Sequence, residues 1–192
     1  MIHYLSHIKE NHALNKVSDD ILIKLLSFAQ VKTLVPKDKV MNDWGGDNNF
    51  YFIVKGIVKA VFIQNGDQYC SQFYKSGDII MDFKSVFSMK ESLIDYECVT
   101  HVTTVYVEKE IFHKFMEEYD SVKYVYIENM AADILKYEER VRLLLCYSAK
   151  ERYKKFVEQF GDYISHFTQK DIASYLSIKP ETLSRIKRNV TG

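Results

Sequence analysis

The hydrophobic period of the chain changes near Glu108, and no other feature constrains its fold as strongly. Before that point, from Pro36 to about residue 107, apolar and β-branched residues come in short runs: Phe50 to Val54, Ile57 to Ile63, Tyr69 to Tyr74 and Val99 to Val107. Turn chemistry separates them at Gly45-Gly46-Asp47, Lys55-Gly56, Asn65-Gly66-Asp67 and Ser76-Gly77-Asp78. Short strands divided by such turns predict a sandwich or barrel. Asn65-Gly66 is the clearest hairpin signal, because both central residues of a type I′ turn take positive φ. Beyond Glu108 the pattern turns helical and stays so. The expected organisation is α+β, a β-rich front followed by an all-helical back.

Two further helical patterns complete the outline. Ser18 followed by Asp19 and Asp20 is a helix start, and Ile21, Leu22, Leu25, Leu26 and Ala29 recur at helical spacing, predicting a short helix over about residues 18 to 30. Further on, Tyr124, Ile127, Ala131, Ile134, Val141 and Leu145 follow alternating steps of three and four, broken only by Glu138. That spacing predicts a helix of about 25 residues with an apolar seam, long for a small domain. Such a seam either packs on the barrel or pairs with the same helix of a second chain, and pairing is the reading preferred here.

Composition narrows the function classes. With 47% hydrophobic residues among 192, the chain can bury a core as one large domain or two small ones. Its 26 basic and 26 acidic residues cancel, but their distribution is uneven. From Ser148 to Gly192 there are nine Lys/Arg against five Asp/Glu, so this end is positive and the rest negative. A basic end fits contact with phosphate, although a solvated basic surface would have the same composition. Cys70, Cys98 and Cys146 are widely spaced and form no CxxC, so they are expected to be buried small hydrophobes rather than disulfides or metal ligands. The six histidines are scattered, and no metal site is expected. The first twenty residues lack a basic segment followed by an apolar run, and no stretch approaches the roughly 18 apolar residues of a membrane span. A cytoplasmic protein with no membrane partner is expected. No hydrolase elbow, Walker loop, zinc spacing or Rossmann fingerprint occurs, so no catalytic residues are expected and the chain is not read as an enzyme.

The most informative stretch is FTQKDIASYLSIKPETLSRIKRN, Phe167 to Asn189. Thr168 can cap a first helix whose Ile172, Ala173 and Leu176 face inward, and Ser177-Ile178-Lys179 is a short turn. Pro180 suits the first turn of a second helix, where its missing N–H costs nothing. Leu183 and Ile186 then face the core and leave Glu181, Thr182, Ser184, Arg185 and Arg188 outward. This is a helix-turn-helix pattern. Arg185 can bond guanine O6 and N7, and Glu181, one turn away on the same face, can accept from cytosine N4. Without DNA the two can pair with each other as a weak surface salt bridge. Thr168, Gln169, Lys179, Lys187 and Arg188 complete the expected DNA-binding set, with the cations near phosphates. The alternative is a ligand-binding or protein-interaction module whose helix-turn-helix no longer binds DNA.

The order of these parts resembles the Crp/Fnr superfamily of transcriptional regulators over nearly the whole chain. Phe50 to Lys59 is similar to the family's barrel signature, and Ser76-Gly77-Asp78-Ile79-Ile80 to the strand entering its phosphate-binding cassette. Ile172 to Ile186 resembles its DNA-reading motif, where Glu181 and Arg185 match base-reading positions. Ser148 to Tyr153 resembles the linker helix of a subgroup common in Bacteroidetes-type bacteria. The resemblance implies a double-stranded β-helix (jelly-roll) barrel of cyclic-nucleotide-binding type over residues 1–112, a dimerisation helix over 113–147 and a helix-turn-helix domain over 148–192. It also implies a homodimer on double-stranded DNA, with recognition helices one DNA turn apart, an unknown small-molecule effector and RNA polymerase as a further partner.

The chain departs from the family at the ligand. Cyclic-nucleotide binders of the family hold the phosphate with an Arg before Ser or Thr, and the ribose with a Glu after a Gly. Here Met81 and Asp82 stand in place of Gly and Glu, and no Arg occurs before Arg140. Near the expected Arg lie Asp95 and Tyr96, and Asp95 would repel an anion. Cyclic AMP is therefore not expected as a cofactor in the family's usual manner. The corresponding degenerate pocket would comprise Asp82, Phe83, Lys84, Ser85, Asp95 and Tyr96, with another ligand in it or with aromatic side chains such as Phe83 and Phe87 filling it. The chain also reaches Gly192 soon after the recognition helix, without the strands that often follow it in the family.

Overall fold

The computed structural model describes residues 2–41, 49–81 and 94–190. Helices α1 (Leu5–Ile8) and α2 (Asp19–Leu26) precede strand β1 (Gln30–Leu34). Then follow β2 (Phe50–Lys55), β3 (Ile57–Gln64), β4 (Asp67–Lys75), β5 (Ile79–Ile80), β6 (Ile94–Cys98) and β7 (Val102–Val107). They form two antiparallel sheets, ordered β1-β7-β2-β5 and β4-β3-β6. The back of the chain is helical: α3 (Lys109–Glu118), α4 (Asp120–Cys146), α5 (Ala149–Phe160), α6 (Gln169–Tyr175) and α7 (Pro180–Val190). This is the expected α+β architecture of barrel, long helix and helix-turn-helix.

Turn chemistry sets the barrel's register where the sequence places it. Asn65 and Gly66 take φ of 55° and 83°, and Gln64 pairs with Asp67 to close a two-residue hairpin. Gly56, at φ 101°, joins β2 to β3 where a Cβ would lie 2.3 Å from the His101 carbonyl oxygen, so only glycine fits. Elsewhere tertiary pairing overrides the local pattern. The helix expected to reach residue 30 stops at Leu26, and Gln30 to Leu34 instead pair with Tyr106 to Val102 of β7. The strand expected over Val99 to Val107 begins only at Val102: the Val99 N–H donates to the Ile57 carbonyl (2.8 Å) in the turn that follows β6.

Three apolar layers result. Between the sheets Val40, Ile53, Val58, Ala60, Ile80 and Val102 are fully enclosed together with Tyr51, Tyr74 and Tyr96. One outer layer packs α1, α2, α3 and the start of α4 on the first sheet, with Phe50 stacked on Phe112 at 3.8 Å between ring centroids. The other packs the helical end on the second sheet. There Phe73 of β4 meets Phe156, Phe160, Phe167 and Tyr175 at 4.4–6.1 Å. Cys70 and Cys98 are buried as expected, their thiols pushed up to about 12 by burial, but Cys146 at the end of α4 is exposed. Among the described residues no helix is long and apolar enough to cross a membrane.

Candidate nucleic-acid interface

Local chemistry builds the helix-turn-helix as the residues suggest. The Thr168 hydroxyl caps α6, accepting the Asp171 N–H at 3.0 Å. At the other end Ser177 takes the left-handed φ of 52°, while the Ile178 N–H donates to the Ala173 carbonyl and the Ser177 N–H to that of Ser174, both at 3.0 Å. These two bonds make a Schellman stop, with serine in the position glycine usually holds. Lys179 follows, and its carbonyl accepts the Leu183 N–H at 3.1 Å, so α7 opens on Pro180. Ile172, Ala173, Leu176 and Leu183 are buried. Arg152 of α5 closes the unit by donating from Nη1 to the Leu176 carbonyl at 2.8 Å.

One outer face carries the expected DNA-binding residues. Thr168, Gln169, Lys179, Glu181, Ser184, Arg185 and Arg188 are exposed, and Thr182 and Lys187 half-buried. Thr168 also donates to the Asp171 carboxylate at 2.6 Å, so its hydroxyl serves the cap. The weak Glu181–Arg185 pair expected on this face does not form: no ion pair joins them, and both side chains stand free for a groove. Surface pairs are worth little against two long side chains' rotamer entropy, which accounts for the difference.

Spacing could not reveal how this unit is held on the barrel. The Lys59 ammonium of β3 lies between the carboxylates of Asp171 on α6 (2.8 Å) and Glu97 on β6 (2.9 Å), and its side chain is only 10% exposed. Burial tends to lower its pKa, but hydrogen bonds to Asp171 and Glu97 outweigh this and leave it raised. Ser174 Oγ accepts the Cys70 N–H of β4 at 2.8 Å. From α4, the Arg140 guanidinium lies over the Tyr175 ring at 4.0 Å. The signal in sequence was only a run of unremarkable charged and polar residues.

The long helix has two faces. Val122, Val125 and Leu143 are buried against the molecule. The expected seam of Tyr124, Ile127, Ala131, Ile134, Val141 and Leu145 is exposed throughout, reaching 62% at Ile134 and 80% at Leu145. Leu135, 63% exposed, widens it. A helix that leaves this much apolar surface uncovered has a face suited to a partner.

In the barrel, Asp82, Phe83, Lys84 and Ser85 lie outside the described residues, as does Phe87. The two remaining pocket residues have structural partners. Asp95 pairs with Lys39 at 3.0 Å, and Tyr96 is buried between the sheets beside Tyr74, with its hydroxyl 3.5 Å from the Met81 carbonyl. Among the described residues no cluster of His, Cys, Asp and Glu could hold a metal ion.

A two-sheet barrel followed by a long helix and a helix-turn-helix is the architecture of Crp/Fnr-type regulators, and solved structures share it. FixK2 of Bradyrhizobium japonicum superposes with a TM-score of 0.75 at 17% identity, covering 85% of this chain and 84% of that one. The c-di-GMP responsive global regulator CLP of Xanthomonas campestris gives 0.74 at 9% identity, over 91% and 92% of the two chains. A protein of Eubacterium rectale described as a Crp/Fnr family transcriptional regulator gives 0.74 at 14% identity, over 94% and 86%. Compared by sequence, the chain matches no family model and no curated protein. The likeness is one of fold.

Proposed function

We propose that this chain is a transcriptional regulator that binds palindromic operators as a homodimer, without catalytic activity, through two copies of α7. The observation that carries this reading is the outer face of α7, where Glu181, Ser184, Arg185 and Arg188 are exposed together while Leu183 anchors the helix beneath. A helix so held presents its N-terminal half to the major groove. The uncovered seam of α4 supports pairing of two chains along that helix. The barrel is proposed not to hold cyclic AMP in the family's manner. Its interior contains Tyr51, Tyr74 and Tyr96, and Asp95 is committed to Lys39.

Selection of bound DNA from a random pool by the purified protein tests this, with Arg185→Ala as control and binding repeated at rising salt. The expected product is a palindrome with half-sites about one helical turn apart, bound less tightly as salt rises. The substitution removes a base contact worth about 1–3 kcal/mol per half-site. Absence of any enriched sequence at low salt overturns the reading.

A further inference from the structure

Where the barrel, the long helix and the helix-turn-helix meet, the structure encloses a cavity of about 370 Å³. That is the size of a small-molecule site rather than of a packing defect. Its apolar side is made by Leu143 of α4, Phe156 of α5 and Tyr175 of α6, all buried. Its polar side carries three cations, Lys136, Arg140 and Lys155, and two carboxylates, Glu139 and Glu158.

The charges are not balanced within the cavity. Glu139 is bound to Arg142 at 2.8 Å and Glu158 lies 3.9 Å from Lys154, two cations that do not line it. Lys136 is turned to Asp78 (3.3 Å) and Asp133 (3.5 Å). Arg140 and Lys155 form no ion pair with a carboxylate among the described residues. Arg140 contacts the Tyr175 ring and, at 3.4 Å, the Cys70 carbonyl, and its Nη1 is buried without a hydrogen-bond partner. Lys155 lies over the Tyr147 ring at 4.7 Å. Burial lowers the Arg140 pKa from an already very high value, so it stays charged. A half-enclosed space with an apolar floor and two cations held in no close ion pair among the described residues favours an anion that brings hydrocarbon with it.

We propose that this cavity binds a small organic anion, a phosphate or carboxylate carried on a ring. The same ligand fastens the helix-turn-helix to the barrel, because its walls come from β4, α4, α5 and α6 together. Its binding energy is available only while those elements stay docked, which makes it an effector of the docked arrangement. The effector role rests on the regulator reading above; the binding itself does not.

The test uses the full-length protein without DNA and naphthyl phosphate as the probe, followed by fluorescence anisotropy. Saturable binding of one probe per chain is expected. Lys155→Glu should weaken it by about tenfold or more. Lys150→Glu, the same charge change at an exposed position of the same helix outside the cavity, should leave it unaltered. Hydrogen exchange at the Cys70 amide and through α6 should slow when the probe is bound, which reports docking whether or not an operator has been found. No saturable binding, equal binding to the Lys155→Glu protein, or equal affinity for inorganic phosphate overturns the site as proposed. Binding without slower exchange overturns the effector role.

Discussion

Two buried charges, Lys59 and Asp133, illustrate how single residues set the stability of this fold. Lys59 is matched by two carboxylates, and Lys59→Met leaves Glu97 and Asp171 facing each other without a cation. Breaking such a buried network costs about 3–5 kcal/mol, readable by urea unfolding. Because the folded-state pKa of Lys59 is raised above the usual 10.5, its contribution is complete below that pH and is lost as pH climbs through the folded value. Wild type should therefore lose its advantage over the variant in strongly alkaline solution, and a constant difference there would contradict the assignment. Asp133 of α4 is the opposite case. It is buried, its Oδ1 has no hydrogen-bond partner, and its nearest cation, Lys136, stands 3.5 Å away, too far for a good hydrogen bond. Desolvation raises its pKa above 3.8, so the ionised form destabilises the fold at neutral pH. Asp133→Asn is expected to gain about 1 kcal/mol at pH 7. That gain should fade as pH falls through the folded pKa and be gone below 3.8, where wild type is protonated in both states.

At the level of elements, α4 joins two jobs that its sequence periodicity cannot separate. The face with Val122, Val125 and Leu143 belongs to the protomer's core, while the seam residues from Tyr124 to Leu145 stay more than half exposed at Tyr124, Ile127, Ile134, Val141 and Leu145. Replacing Ile134 and Val141 together by Glu should leave folding of the protomer intact, since both are more than half exposed. Under the proposed pairing, sedimentation should show dimers of the wild type and monomers of that variant at the same concentration, because a charge at a seam position must be desolvated on pairing. A dimeric variant would place the interface elsewhere. Helix α6 acts as a strut between the barrel and α7. Its Asp171 and Ser174 are tied to β3 and β4, and Ile172, Ala173 and Leu176 are fully enclosed. The placement of α6 is thus tied to the barrel.

Across the whole molecule this means that barrel and helix-turn-helix share a core. Phe73 of β4 contributes its ring to the same cluster as Phe156, Phe160, Phe167 and Tyr175. Stability of the helical end consequently depends on the second sheet. Thermal unfolding is expected as one transition, coincident by calorimetry and by circular dichroism. Two well-separated transitions would show that the shared layer contributes little. Under the proposed function, the same packing would couple any ligand that favours the docked arrangement to α7 through α6.

Much of this was legible from short stretches of chain. The Asn65-Gly66 hairpin, the Thr168 cap, the turn at Ser177 and the seam of α4 each depend on residues within a turn or two of one another, and φ preferences, capping hydrogen bonds and side-chain periodicity are local physics. The fate of Gln30 to Leu34, the start of β7 at Val102 and the exposure of Cys146 were not legible, because pairing and burial there are decided by distant strands and helices. Lys59 and Asp171 stand 112 residues apart, and nothing near either one marks the other as its partner. Local sequence determined which elements form and what chemistry each outer face displays. Only tertiary packing decided which charges meet, which form no close ion pair around the junction cavity, and how α7 is held, since electrostatic and packing energies depend on distances that chain order does not encode.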